Sequence, residues 1–173
     1  MTDRELLLLM LSGDEDAFTT LYRRRQGPVY RFALQMTGSV AIAEDVTQEV
    51  FMALLLKTAK YEASRGSLAS FLYGIARNLV LRRIEKTAEV EDYAGPEDLL
   101  DDLTRRETVE QVRRAVLSLP AVYREAVVLC DLQDTSYEEA ALVLDCPIGT
   151  VRSRLSRGRS ILAQKLAVRS SVC

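Results

Sequence analysis

Between Ser136 and Arg159 the chain carries two stretches of helical periodicity parted by Asp145-Cys146-Pro147, and arginine crowds the second. Few folds accommodate that pattern. Ser136 followed three residues later by Glu139 reads as a capping box, which satisfies the free amides at a helix start. Ala140 and Ala141 permit close approach of a neighbouring helix, and Leu142 and Leu144 supply apolar surface. Pro147 disfavours helical geometry at Cys146 and suits the opening turn of a second helix. There Ile148, Val151, Leu155 and Leu162 fall on one side, opposite Ser153, Ser156 and Ser160 with Arg152 and Arg157 beside them. A buried aliphatic face backed by serine and arginine is what a groove-reading helix requires. Arginine pairs bidentately with guanine edges, and serine lets the backbone come near bases or phosphates. The segment therefore predicts a DNA-binding helix-turn-helix. A solvated basic helix without DNA is the plainer reading of the arginines alone.

The charge distribution qualifies that expectation. Net charge is only −2, so the whole molecule is no electrostatic magnet for DNA. Beyond Asp145, however, no acidic residue occurs, while Arg152, Arg154, Arg157, Arg159, Lys165 and Arg169 follow. A cationic end on a mildly acidic chain suggests weak binding alone, strengthened when a partner delivers it. Apolar residues make up 48 % of 173, ample for a folded core. The absence of histidine and of any Cys-x-x-Cys pair speaks against a metal centre, and no cofactor is expected. Cys130, Cys146 and Cys173 read as reduced thiols, Cys130 in a core and Cys146 in the turn. The greasiest run, Leu6 to Leu11, is too short to span a membrane and follows Asp3, Arg4 and Glu5 rather than a basic leader. A soluble, cytoplasmic protein is expected.

Periodicity predicts helices nearly throughout. One covers roughly Asp3 to Ser12; a second opens at Asp14 or Glu15 and runs past Phe18, Leu21 and Tyr22 to a break at Gly27-Pro28. Others are expected over Val29 to Thr37, Ala41 to Tyr61 and Ser67 to Lys86. Between Glu89 and Asp102, seven acidic residues surround Gly95-Pro96, the composition of a flexible acidic linker. Helical periodicity returns near Arg105, and Pro120 fits the first turn of a helix carrying Val122, Ala126, Val127 and Leu129. The fold class expected is all-α: a helical domain over 1–86, a linker over 87–105 and a helix-turn-helix domain over 106–173. Each is small enough to be marginally stable alone.

Two constellations mark the first domain. Asp45, Gln48 and Glu49 share a face at helical spacing, opposite Val46 and Val50: a contact face for a basic partner, or an ordinary amphipathic helix. Further on, a loop around Ser64-Arg65-Gly66-Ser67 precedes a helix bearing Arg77, Asn78, Arg82 and Arg83, with Tyr61, Phe71 and Tyr73 interleaved. Aromatics among cations are the chemistry of single-strand binding, although most such aromatics are core residues, Phe71 in particular.

Taken in order, Asp16-Ala-Phe18 with Leu21-Tyr22, Ala43 to Phe51, Arg65-Gly-Ser67, Ile75-Ala-Arg-Asn78 and Gly149-Thr-Val-Arg-Ser-Arg-Leu155 resemble the extracytoplasmic-function (ECF) sigma factors of bacterial RNA polymerase. The resemblance covers almost the entire chain. It implies a first domain like sigma region two and a last like region four. Asp45, Gln48 and Glu49 would dock on the β′ clamp helices of core polymerase, with the β flap as a further contact. The loop with Arg65 and Ser67, and the helix with Arg77, Asn78 and Arg82, would open and hold the minus-ten promoter element, an extruded base entering the loop. Thr150, Arg152, Ser153, Ser156 and Arg157 would touch bases or phosphates of the minus-thirty-five element, with Arg159 on phosphate. An anti-sigma partner is implied as well. Two departures stand out: Phe71 occupies a position where many members carry tryptophan, and Ser156 one often filled by a larger side chain. No additional C-terminal domain is expected.

Two other readings share parts of this pattern. A stand-alone helix-turn-helix regulator would bind duplex DNA by itself as a dimer. An enzyme finds no support, since histidine, a Gly-rich phosphate loop and pocket-like paired carboxylates are all missing from the sequence.

Overall fold

The helices of the first half begin where the sequence supplies a cap. Thr2 opens α1 (Asp3–Leu11) with a reciprocal box: its hydroxyl accepts from the Glu5 amide at 3.2 Å, and the Glu5 carboxylate accepts from the Thr2 amide at 2.6 Å. Asp14 caps α2 (Glu15–Thr37) by accepting from the Ala17 amide at 3.1 Å. Ser39 and Ser67 do the same for α3 (Val40–Lys57) and α4 (Leu68–Ala88), accepting from Ile42 and Ser70 at 3.2 and 3.1 Å. The second half of the chain holds α5 (Arg105–Leu117), α6 (Ala121–Val127) running into a π-helical turn (Val128–Leu132), α7 (Tyr137–Leu144) and α8 (Ile148–Ser170). The computed structural model describes residues 1–57, 60–88 and 105–170, and among these it contains no strand. The acidic stretch from Glu89 to Asp102, Arg169 as a side chain and Cys173 lie outside the described residues.

Three expectations need correction. The break at Gly27-Pro28 does not occur; α2 runs through it. A proline normally forces its predecessor out of helical geometry by clashing with that residue's Cβ, and Gly27 has none. Burial of Leu21 on one side and Val29, Phe32, Ala33 and Met36 on the other outweighs the hydrogen bond lost at Pro28. The third helix ends at Lys57 rather than Tyr61. Tyr61 instead lies in the loop before α4, donating its hydroxyl to the Gly66 carbonyl at 3.2 Å. Finally, the box at Ser136 is only half made. Its hydroxyl accepts from the Glu139 amide at 3.2 Å, but the Glu139 carboxylate turns away and accepts from Ser67 at 2.7 Å.

That last bond crosses between the two halves of the sequence, which pack against each other. Phe32, Met36, Val46, Val50, Leu54 and Leu72 from the first half join Leu119, Leu129, Val151 and Leu155 from the second in one continuous buried cluster. Arg124 on α6 is the principal polar tie. Its guanidinium donates to the carbonyls of Met36, Leu117 and Leu119 at 2.7, 2.7 and 2.8 Å. Met36 and Leu117 lie at the ends of α2 and α5, where carbonyls lack helical partners and the helix dipole is negative. One cation thus caps two helices from different halves. Gln133 adds a bond to Gln35 at 2.6 Å. Gly38 closes α2 at φ +69°, and a Cβ there would come within 2.8 Å of the Leu117 side chain.

Candidate nucleic-acid interface

The turn before α8 forms as the sequence predicts. Asp145 takes the left-handed conformation that ends α7, and α8 starts immediately after Pro147. Val151 and Leu155 are fully buried, and Ile148 and Leu162 half-buried. Gly158 lets α8 lie directly on α6, since a Cβ there would sit 2.8 Å from the Val127 side chain. Opposite this spine, Arg152, Ser153, Ser156, Arg157 and Ser160 are exposed, and Thr150 is half-buried at the helix start. The amphipathic division expected from spacing is present residue for residue.

Local contacts set the outer side chains apart. The Arg152 guanidinium lies 5.8 Å from the centroid of the Tyr137 ring, a cation–π contact that limits its rotamers while leaving its donors outward. Ser153 donates to the Gly149 carbonyl at 2.8 Å. Arg159 is held bidentately by Asp131, at 3.0 Å through Nε and 2.6 Å through a terminal nitrogen. That carboxylate strengthens the guanidinium's hold on its proton. Arg159 is therefore engaged within its own half, whereas Arg152 and Arg157 face outward.

The loop and α4 present the other set. Tyr61 stacks obliquely on half-buried Phe71, with ring centroids 5.4 Å apart, and so closes the loop around Gly66. Arg65 is exposed and pairs with Glu62 at 2.9 Å. Asn78 and Arg82 are exposed on α4. Tyr73 is buried against Phe32, and burial pushes its hydroxyl pKa up. Ser67, although exposed, and half-buried Arg77 each already have a partner within the molecule. Ser67 donates to Glu139, and Arg77 Nε lies 3.2 Å from the carboxylate of Glu125, which is 1 % exposed. This buried pair is imperfect: the contact is poorly aligned as a hydrogen bond, and Glu125 Oε2 has no partner. Burial raises the Glu125 pKa, with Arg77, Arg154 and Arg124 pulling it back.

On α3, Asp45, Gln48 and Glu49 are exposed together, while Val46, Val50 and Phe51 face inward. Arg83 from α4 reaches Glu49 at 3.2 Å and Asp45 at 3.6 Å, so the carboxylates are held in a fixed array. Among the described residues no helix is long and apolar enough to cross a membrane, and no three His, Cys, Asp or Glu side chains converge as metal ligands. Cys130 and Cys146 are free thiols, each half-buried. Sequence reasoning missed Arg124 and Glu125, and read Glu139 only as a helix cap. The signal available was a charged pair, Arg124-Glu125, inside the otherwise apolar run from Val122 to Leu129.

Comparison with known proteins places this geometry. Residues 21–90 match the sigma-70 region 2 family and residues 109–162 match sigma-70, region 4. The chain is 35 % identical to the ECF RNA polymerase sigma factor SigE of Mycolicibacterium smegmatis, over 92 % of this chain and 66 % of that protein. It is 32 % identical to SigW of Bacillus subtilis, over 89 % of this chain and 91 % of that one. Among solved structures, the sigma factor RpoE of Bartonella quintana, crystallised with the anti-sigma factor NepR, superposes with a TM-score of 0.74 at 27 % identity, covering 87 % of this chain and 97 % of that one.

Proposed function

The chain belongs to the extracytoplasmic-function group of the sigma-70 family, and on that premise we propose how its residues divide the work. It is a sigma factor: it binds core RNA polymerase and directs initiation at specific promoters. The half spanning 1–86 grips polymerase through Asp45, Gln48 and Glu49 and holds the minus-ten strand through Arg65, Ser67, Arg77, Asn78 and Arg82. The half spanning 106–173 reads the minus-thirty-five duplex through Thr150, Arg152, Ser153, Ser156 and Arg157, with residues 87–105 as the tether. The observation that carries this reading is the exposed serine–arginine face of α8 on its buried aliphatic spine, inside the segment matching region 4.

Joining two modest contacts on one chain raises the effective concentration of each, so neither module needs high affinity. Arg159 is better suited to orienting the helix than to neutralising phosphate, because Asp131 already occupies its fork. The factor makes and breaks no covalent bond; polymerase does the chemistry, in the cytoplasm. The Bartonella quintana relative was crystallised with an anti-sigma factor, and a protein inhibitor of that kind is the expected regulator here. Run-off transcription with purified core enzyme and a genomic promoter library tests the assignment. Initiation at defined sites only when both components are present is the expected result. Duplex binding by the factor as a dimer, with no initiation, would instead favour a stand-alone regulator.

A further inference from the structure

A base-reading arginine is only as selective as its aim. Two parallel donors match one edge of one base, but a mobile guanidinium also reaches phosphates and neighbouring acceptors. Arg152 on α8 is exposed, and the structure holds its fork from the side. Tyr137, the first residue of α7, is half-buried against the core cluster, and the Arg152 guanidinium lies over its ring at 5.8 Å from the centroid. Arg159 follows Arg152 by seven residues, two turns and about 10 Å along the same side of α8. Both oxygens of Asp131, in the π-helical turn, accept from Arg159 at 3.0 and 2.6 Å. The Tyr137 hydroxyl borders that guanidinium as well: after Asp131, it too strengthens the hold of Arg159 on its proton. Tyr137 thus spans the gap between the two arginines, its ring under one and its hydroxyl beside the other.

We propose that Tyr137 is the positioning residue for Arg152, and that the Asp131–Arg159 clamp holds Tyr137 in place, so that side chains from two other elements set the selectivity of Arg152 at one base pair of the upstream duplex. The inference rests on the sigma-factor reading and deepens it. Stability is a poor reason for the clamp. The Asp131 and Arg159 side chains are 31 % and 52 % exposed, and an ion pair so open to water contributes little to folding. What a two-point contact does supply is direction, because the planar fork fits a carboxylate in one orientation. Ordering the side chain beforehand also removes a cost that a free arginine meets on docking. The order of contacts runs from Asp131 to Arg159, from Arg159 to the Tyr137 hydroxyl, and from the Tyr137 ring to Arg152.

Competition run-off transcription with core enzyme, over promoters each changed at one upstream base pair, measures the effect. Arg152→Ala first locates the base pair that Arg152 reads, as the position where discrimination collapses. At that pair Tyr137→Leu, which keeps apolar bulk and removes the ring, is expected to lose about 5-fold in discrimination, on the scale of ordering one long side chain. Tyr137→Phe and Asp131→Asn keep the ring and loosen the clamp, and about 2-fold is expected for each. Discrimination at the other base pairs should stay as it is, and Tyr137→Leu should add nothing once Arg152 is alanine. Proton NMR of the full-length factor gives a second readout. The Arg152 Nε–H resonance, assigned by its loss in Arg152→Lys, should lie upfield under the ring current, stay there in Tyr137→Phe and move to the free-arginine position in Tyr137→Leu. Equal loss at every base pair, additivity with Arg152→Ala, an Asp131→Asn factor as selective as the wild type, or an unshifted Arg152 resonance would each overturn the proposal. A wild-type factor that does not initiate would remove the sigma-factor reading, and this role with it, while the resonance still scores the contact.

Discussion

The outer face of α8 and the segment from Gly66 to Arg77 use the same chemistry, serine and arginine on or beside a helix, yet they differ in what stands opposite. Across from α8 there is solvent: Arg152, Ser156 and Arg157 are exposed, and the Tyr137 ring steadies Arg152 without covering it. Across from Ser67 and Arg77 stand Glu139 and Glu125 of the other half. The first face is determined locally, by a proline-bearing turn and a helical period. The second depends on a tertiary contact between segments that local sequence does not link. One region faces solvent, and the other faces carboxylates of its own chain.

That contrast can be broken at several points, and the largest effect belongs to Glu125. Replacing it with alanine leaves Arg77 and Arg124 without their buried counter-charge. Removing one member of a buried pair costs several kcal/mol, and because Arg77 is one-fifth exposed the expected loss is at the lower end, about 3 kcal/mol in chemical denaturation. Next comes the open face: Arg152→Ala should cost about 1–3 kcal/mol in discrimination at the upstream element, read from competition transcription. It should leave overall stability unchanged, whereas Glu125→Ala should not. An unaltered promoter preference would detach Arg152 from base reading.

Gly38→Ala probes the same interface from α2. The left-handed backbone and the 2.8 Å approach to Leu117 are both unfavourable for a Cβ, and about 1 kcal/mol of destabilisation is expected from thermal melts. The smallest effect is in pH. Burial raises the Glu125 pKa above its usual 4.5, so the folded state binds a proton more readily than the unfolded one. Its contribution is therefore fully present below the ordinary glutamate range and fades as pH rises through the raised value. Relative to Glu125→Gln, the wild type should gain stability as pH falls; a flat difference across that range would show that Glu125 titration is not linked to folding.

Much of this was legible in the residues, and the limits have physical causes. Spacing alone placed the α8 stripe, the α3 carboxylate face and the Pro147 turn, because those patterns depend on neighbours within two helical turns. Gly27-Pro28 misled because a proline's steric penalty depends on the residue before it, and glycine removes most of that penalty. Ser136 and Glu139 had the spacing of a capping box, but tertiary structure offered Glu139 a competing donor in Ser67. Arg124 and Glu125 were the hardest to place. A charged pair in an apolar run signals an interior partner, yet nothing local identifies Met36 or Arg77 as that partner.

Footprinting of a promoter fragment tests the division of labour most directly, with chemical probing of unpaired thymines in the same reaction. Core enzyme plus this factor should protect an upstream duplex element and, about 25 base pairs downstream, expose unstacked bases; the factor alone should do neither at comparable concentration. Protection by the factor alone, or a protected upstream element without strand opening downstream, would contradict the account.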